Sequence, residues 1–284
     1  MSRDLVLGTL ALVLFGAGVW LAGVLLPARI AAESADESGL FLERRSWRRL
    51  WGPLLLPAVA IATLFGWALQ EPSVTDEPLR PFVVVIAIPA ALLLLRGGWR
   101  ALGALRRPSV LPALATVGLL RPRIVVSAGL DALLDQDALD AALAHERAHA
   151  RHHDPLRIWI AQVATDLQWP SPFARRRFDQ WLSALELARD EEARVEGALG
   201  EDLAAAVVAV AGISSPPCRA IAGLTGAEAS LAARVRRLLG PAPTRLLSPS
   251  IIAPLFVGLS LAIGFLIGVS HGDSFLRALP FVAS

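Results

Sequence analysis

The sequence predicts a mainly α-helical, polytopic membrane protein in which four transmembrane helices accompany one soluble α+β domain, inserted between the third and fourth helices. Two observations lead to this fold class. Hydrophobic residues make up 55% of the 284 residues, which exceeds ordinary globular usage, and they are concentrated in blocks. Between the last two blocks lies a long stretch of mixed composition, 108–249, that is able to form a soluble domain.

Four apolar blocks are long enough, or nearly so, to cross a hydrocarbon core of about 30 Å. The first contains no charged residue and is too long for the apolar region of an ordinary signal peptide. The third is short, and we expect Arg96 to extend it by reaching to the interface. We predict spans at about 5–26, 50–69, 81–96 and 251–269. The chain then divides into a three-helix part, the soluble domain, and a fourth helix with a short external tail: 1–107, 108–249 and 250–284.

Arginine is distributed unevenly among the connections between these blocks. The connection 27–49 and the stretch that begins at Arg96 are rich in arginine, whereas the link 70–80 contains a single one. The positive-inside rule therefore places the first of these and the soluble domain in the cytoplasm. Both ends of the chain then lie on the other side of the membrane.

Composition excludes several kinds of site. All 27 basic residues are arginine, against 25 acids, so the small positive excess does not predict direct nucleic-acid binding. Cys218 is the single cysteine, which excludes an intrachain disulfide and a cysteine-based zinc site.

The stretch 141–154 contains an H-E-x-x-H pattern made by His145, Glu146 and His149. Residues four apart leave the same face of a helix, which is the geometry that two zinc ligands need. Glu146 follows the first of them, where its carboxylate can reach a metal-bound water rather than the metal. The competing interpretation is a solvated helix whose histidines face water.

The neighbouring sequence supports a helix through this pattern. Asp135 or Asp137 can cap its start, and the Asp154-Pro155 pair ends it after about His152. His152 itself lies too close to His149 along the chain to turn back onto the same ion. Further helices are expected at 155–169, 174–197 and 203–213, followed by a basic amphipathic helix at 227–239.

Ahead of the pattern, a run of mostly β-branched residues between Pro122 and Gly129 predicts a short strand. Such a strand can pair with an extended substrate segment by strand addition. Its residues are Arg123, Ile124, Val125, Val126 and Ser127.

A catalytic zinc usually takes three protein ligands, so a third ligand must come from elsewhere in the chain. Glu186 and Asp190 lie one turn apart on a helix line of small or apolar residues, where buried acids need partners. Periodicity does not decide between Glu186 and its neighbours, because the opposite side of this helix is also partly apolar. We expect the remaining acids to be solvated charges: Glu191, Glu192 and Glu196.

Taken together, these segments resemble the BlaR/MecR-type membrane metallopeptidases, the antirepressor family of β-lactam sensor-transducers. The motifs that carry the resemblance are GLLRPRIVV from Gly118, GL from Gly129, HERAH, DP at 154–155, WPSP from Trp169 and ELARDEEA from Glu186. The membrane layout is similar too. The resemblance implies a bacterial inner-membrane protein with a cytoplasmic zincin-like domain.

The resemblance also implies roles for individual residues. His145, His149 and Glu186 would hold a zinc ion, and Glu146 would be the general base. Asp190 and Asp154 would act from behind the ligands, where such carboxylates orient the imidazoles. Sensor-type members carry a large penicillin-binding domain after the last span, whereas here only 270–284 follow, so we expect no direct β-lactam sensing.

The expected activity is that of a zinc endopeptidase acting on a cytoplasmic or membrane-proximal protein, such as a transcriptional repressor. The expected partners are this substrate, the lipid bilayer and a separate sensor protein. One alternative is a quality-control protease of the HtpX type, against which the match at 118–124 argues. Another is a non-catalytic scaffold, against which the intact set of four site residues argues.

Overall fold

The structure is a computed structural model that describes residues 3–25, 37–70, 81–106, 114–127, 129–214, 224–241 and 252–277. Cys218 and the end of the predicted tail, 278–284, lie outside these residues. The helices within them are α1 (Arg3–Leu25), α2 (Gly39–Gln70), α3 (Pro81–Arg106), α4 (Gln136–Arg151), α5 (Asp154–Asp166), α6 (Pro172–Val195), α7 (Gly200–Ser214), α8 (Leu224–Leu238) and α9 (Ile252–Arg277). The strands are β1 (Leu114–Val117) and β2 (Arg123–Val126).

Two of the described helices are long and apolar enough to cross a membrane. They are α2 and the stretch Val83–Leu105 of α3, at the positions of the second and third predicted spans. The described apolar parts of α1 and α9 are shorter, Val6–Ala22 and Val257–His271. The first and fourth spans, and the orientation of all four, therefore stay predictions.

Helix α2 begins at Gly39, well before the predicted start of its span at about residue 50. The early start has a packing reason, because Leu40 and Leu42 are buried although arginines follow them closely. Gly39 lies directly against α6, where an added Cβ would come within 2.7 Å of the Leu187 carbonyl. Part of the arginine-rich connection is thus a helix that packs on α6.

Helices α2 and α9 also pack along each other, and glycine brings their backbones together. A Cβ at Gly66 would collide with the carbonyl oxygen of Phe265. One at Gly268 would collide with the carbonyl oxygen of Thr63. Small residues at such positions are what allows helices in membranes to make close backbone contact.

The domain is built around α6, which packs against α2, α4 and α5. One cluster of its core buries Leu50 of α2 with Ala161, Trp181 and Leu185. A second cluster holds the β1–β2 hairpin on α4 and α7, with Leu114, Ala138 and Ala206 among its buried members. α4 and α6 are therefore fixed side by side in the interior of the domain.

The predicted strand exists over Arg123–Val126, and Ser127 follows its end. It pairs antiparallel with β1, which was not predicted, with Thr116 opposite Ile124. Gly118 begins the connection with φ of 96°, and an added Cβ there would come within 2.6 Å of the Arg121 carbonyl oxygen. This hairpin contacts α4, the helix that contains the H-E-x-x-H pattern.

Both ends of α4 agree with the prediction. Asp135 is the N-cap, and its side chain accepts a hydrogen bond of 2.8 Å from the Ala138 N–H. At the other end His153 has φ of 52°, and α5 starts at Asp154 with Pro155 in its first turn. This sharp turn returns the Asp154 side chain to the last turn of α4.

Candidate metal centre

Two histidines of α4 and one acid of α6 converge on a single point. His145 Nε2 and His149 Nε2 lie 3.0 Å apart, and each lies 3.6 Å from a carboxylate oxygen of Glu186. All three potential ligand atoms lie within 4.8 Å of one another. Both imidazoles are buried, whereas the Glu186 side chain is 35% exposed, so the cluster opens to solvent on the side of the acid.

The ring nitrogens that point away from this cluster each face a carboxylate. His149 Nδ1 lies 2.8 Å from Asp154 Oδ2 in a hydrogen bond. His145 Nδ1 lies 2.9 Å from Asp190 Oδ1, although this pair is not aligned as a hydrogen bond. A carboxylate at Nδ1 favours a proton on that nitrogen and directs the Nε2 lone pair at the cluster.

The Nε2 lone pairs of His145 and His149 and the Glu186 carboxylate face one another, and these electron-rich groups repel unless a cation lies between them. Burial alone would lower the pKa of His145, but the carboxylates of Asp190 and Glu186 raise it, to about 9. In the metal-free protein a proton on His145 therefore supplies the positive charge. The donor set of two imidazoles and one carboxylate fits a divalent metal with a fourth position for water.

The carboxylate behind His149 is fully buried and heavily hydrogen-bonded. Asp154 accepts hydrogen bonds from Arg189 Nε (2.5 Å) and Arg189 Nη2 (3.0 Å), and from Arg157 Nη1 (2.9 Å). Burial raises the pKa of Asp154, but its bonds to His149 and Arg189 outweigh burial and hold that pKa far below its usual range. Asp154 is therefore an anion at every physiological pH.

The carboxylate behind His145 depends on an arginine of α8. Arg234 donates to both oxygens of Asp190, from Nε at 2.9 Å and from Nη2 at 2.8 Å. Its Nη1 lies 2.9 Å from Glu186 Oε2. Burial raises the pKa of Glu186, but Arg234 together with His145 and His149 outweighs burial, and the pKa is lowered. Sequence reasoning missed Arg234, because it was one of several arginines on a basic helix.

The Glu146 side chain points toward the β1–β2 hairpin, whereas Asp154 and Asp190 lie behind the two imidazoles. Its Oε2 accepts a hydrogen bond of 2.6 Å from the Thr116 hydroxyl of β1. The same hydroxyl lies 2.9 Å from the Glu146 backbone carbonyl. Thr116 was missed together with its strand, because a four-residue strand leaves almost no periodic signal. The hairpin is thereby fastened next to the carboxylate of the motif.

The prediction that Glu191 is a solvated charge is wrong. It is only 7% exposed, and it accepts hydrogen bonds from the Gly39 N–H (2.6 Å) and the Ser38 hydroxyl (2.8 Å). A carboxylate from α6 thus satisfies free N–H groups at the start of α2. The sequence could not show this, because the early start of α2 was itself not predicted.

The same prediction is wrong for Glu192, which is 9% exposed. Its oxygens accept from Arg151 Nη2 (3.0 Å) and Arg189 Nη1 (3.1 Å), and lie 2.9 Å from His152 Nε2. Glu192 is buried because α4 covers this side of α6 and supplies the cations. The prediction is confirmed for Glu196, which is exposed.

Comparison with known proteins yields one match. Residues 105–236 match the sequence model of the family described as BlaR1 peptidase M56. The matched segment contains the three converging residues, Glu146 and Arg234. No curated protein and no solved structure matches the chain. The segment 105–236 is therefore similar to the BlaR1-type M56 metallopeptidases. This similarity, together with the two long apolar helices among the described residues, indicates a membrane-associated protein of this kind.

Proposed function

We propose that the protein is a zinc-dependent endopeptidase of the bacterial inner membrane. Its domain, 108–249, lies in the cytoplasm and hydrolyses peptide bonds of a cytoplasmic or membrane-proximal protein. The observation that carries this proposal is the convergence of His145, His149 and Glu186 beside Glu146. The family resemblance favours regulated proteolysis, such as inactivation of a transcriptional repressor, with a separate sensor supplying the signal.

The residues of the chain have distinct tasks in such a reaction. When bound, zinc lowers the pKa of a water molecule and polarises the scissile carbonyl. Glu146 takes the proton of the attacking water and passes it to the leaving amine. Thr116 donates a hydrogen bond to Oε2 of Glu146, which fixes the orientation of the carboxylate that accepts this proton. Asp154 holds the His149 imidazole by a hydrogen bond at Nδ1, and Asp190 faces Nδ1 of His145 as an ion-pair partner.

The hairpin gives a place for the substrate backbone. Among the described residues the sheet has two strands, so each strand has one edge without a strand partner there, to which an extended peptide can add by main-chain hydrogen bonds. We assign this role to β2 with Ser127, as the sequence suggests. Because Thr116 of the paired strand contacts Glu146, a peptide bound to the hairpin lies near the proton acceptor.

The first test separates catalysis from scaffolding. Glu146→Gln keeps both imidazoles, so zinc content is expected to stay at about one per chain while cleavage falls by about 10²–10⁴-fold. His149→Ala is expected to lose zinc and cleavage together. Both are measured as metal content of the purified full chain and as cleavage of a candidate substrate. Wild-type cleavage by Glu146→Gln at unchanged zinc content would rule out the peptidase.

The same samples test the third ligand. Glu186→Gln is expected to lower zinc affinity, since a neutral amide is a poor zinc ligand. Glu196→Gln is the matched control, because it removes an exposed carboxylate that directly follows the same helix and pairs with Arg151. Equal affinities in these two variants would show that Glu186 is not a ligand.

The second test concerns orientation. Reporter fusions after Arg107 and after Pro249 are expected to show a cytoplasmic location, and a fusion at Ser284 a periplasmic one. A periplasmic signal after Arg107 would invert the topology and remove the case for a cytoplasmic substrate.

A further inference from the structure

A buried acid of α2, Glu43, lies outside the metal centre and has no part in the mechanism above. It is 6% exposed and sits in the portion of α2 that precedes the predicted span. The Arg157 guanidinium donates to Glu43 Oε1 through Nη2, and Trp181 Nε1 donates to the same oxygen at 3.3 Å. A buried carboxylate with two directed donors is held in one position.

Arg157 connects this acid to the metal centre. Its Nη1 donates to Asp154 Oδ1 at 2.9 Å, while its Nη2 contacts Glu43. The guanidinium also lies over the rings of Trp47 and Trp181, at 5.1 and 5.8 Å from their centroids. It is therefore fixed on two aromatic faces and between two carboxylates, one of which is bonded to His149.

Helix α2 is tied to the same region at a second point. Glu191 accepts from the N–H groups at the start of the helix, and Gly39 touches the Leu187 backbone, next to Glu186. Because both contacts and the Glu43 contact involve one end of α2, this end cannot shift without moving groups that adjoin the proposed ligands.

We propose that Glu43 is a positioning residue of the metal centre. Glu43 holds Arg157, Arg157 holds Asp154, and Asp154 sets the orientation of the His149 ring. The placement of α2, a candidate membrane helix, thereby bears on the geometry of the metal. This inference rests on the proposed role of His149 as a ligand.

Neutralising Glu43 leaves Asp154 as the only carboxylate bonded to Arg157 among the described residues. The guanidinium then loses one of its two carboxylate anchors and no longer holds Asp154 in the position from which it accepts from His149 Nδ1. Changes in direct partners of ligating histidines typically cost 10–100-fold in metal affinity. Glu43 acts through two further groups, so we expect a loss of about tenfold, at the lower end of this range.

The experiment uses the full chain in detergent with Co²⁺ in place of zinc, because the visible absorption bands of Co²⁺ report ligand geometry. Glu43→Gln is expected to shift these bands and to weaken Co²⁺ and Zn²⁺ binding about tenfold. Glu37→Gln is the matched control, since it removes an acid that pairs with Arg45 near the start of the same helix. That variant is expected to behave like the wild type.

A double-mutant cycle tests the path itself. Arg157→Gln is expected to weaken binding at least as much as Glu43→Gln, and the double variant no more than Arg157→Gln alone, because both substitutions break one chain of contacts. Additive losses, or unchanged bands and affinity in Glu43→Gln, would overturn the proposal.

Two controls keep the outcomes separate. If His149→Ala binds metal like the wild type, the ligand assignment and the proposed function fail, and with them this inference. If His149→Ala loses metal but Glu43→Gln does not, only the positioning role fails. Should Glu43→Gln not fold, Glu43→Asp is compared with Glu37→Asp by the same measurements and the same two outcomes decide.

Discussion

The two histidines of the metal centre lie one turn apart on α4, yet they are supported in different ways. Behind His149 stands Asp154, five positions along the chain and fully buried with the guanidinium of Arg189. Behind His145 stands Asp190, which comes from α6 and depends on Arg234 of α8. The support of His149 consists of buried groups from α2, α5 and α6. The support of His145 depends on a residue of α8, which comes later in the chain.

This difference predicts which property each side controls. Arg189 is 1% exposed, so water cannot replace a lost partner, and after loss of Asp154 it still pairs with Glu192. Damage on the His149 side is therefore expected to cost stability as well as metal affinity. The Arg234 side chain is 16% exposed and also contacts Glu186, so it keeps a partner when Asp190 is altered. Damage on the His145 side is therefore expected to cost less stability and to act mainly on metal and proton binding.

The largest effect is expected from Asp154→Asn. The substitution leaves the buried Arg189 without its full counter-charge, a type of change that typically destabilises by about 3–5 kcal/mol. The measurement is the free energy of unfolding of the metal-free protein by urea titration in detergent. Asp190→Asn is the comparison and is expected to destabilise less. An equal or larger effect of Asp190→Asn would remove the distinction between the two sides.

An effect of intermediate size is expected on the pH dependence of zinc affinity, which His145 controls. The pKa of His145 is raised to about 9, and zinc must displace the proton that this ring carries below that pH. Zinc affinity is thus expected to rise about tenfold per pH unit between about 7 and 9 and to level off above. Chelator competition across this range measures it, and an affinity that is flat from pH 7 to 9 would contradict it.

The same group gives the metal-free protein a pH-dependent stability. Because the folded pKa of His145 is raised above the ordinary value of about 6.5, its stabilising contribution is complete below that pH and is lost as pH rises through about 9. Asp190→Asn, which removes one of the carboxylates that raise this pKa, is expected to shift the window to lower pH.

The smallest effect is expected from Thr116→Val, which touches neither support. It removes the hydrogen bond to Glu146 Oε2 and keeps the shape of the side chain. A hydrogen bond to a charged group contributes about 1.5–3 kcal/mol, so turnover is expected to fall by about tenfold or more. Zinc affinity is expected to stay at the wild-type value. A loss of zinc affinity in Thr116→Val would contradict this prediction and would show that the hairpin also helps to hold the metal ligands in place.

Local signals in the sequence were sufficient for the histidine helix. The cap Asp135, the spacing of His145 and His149, and the stop at Asp154 all act within a few residues, and the structure has each of them. The strand at Arg123 was predictable for the same reason, because β-branched residues between turn residues are a local feature.

Contacts between distant segments account for what was missed. Glu191 and Glu192 have no property in the sequence that separates them from the exposed Glu196, and only the packing of α2 and α4 on α6 buries them. Arg234 likewise differs from the other arginines of α8 only because the packing of α8 on α6 places it against Asp190. The early start of α2 was hidden because its arginines suggested a loop, although its leucines are buried.

The backbone contact between α2 and α9 has a consequence for genetics. Gly66 and Gly268 each face a carbonyl oxygen at a distance that leaves no room even for a methyl group. A screen for loss-of-function alleles should therefore recover missense changes at these two codons, alongside those in the histidine motif. Such alleles would include alanine, the mildest replacement available, because the obstructing atoms belong to the backbone and no side-chain change removes them.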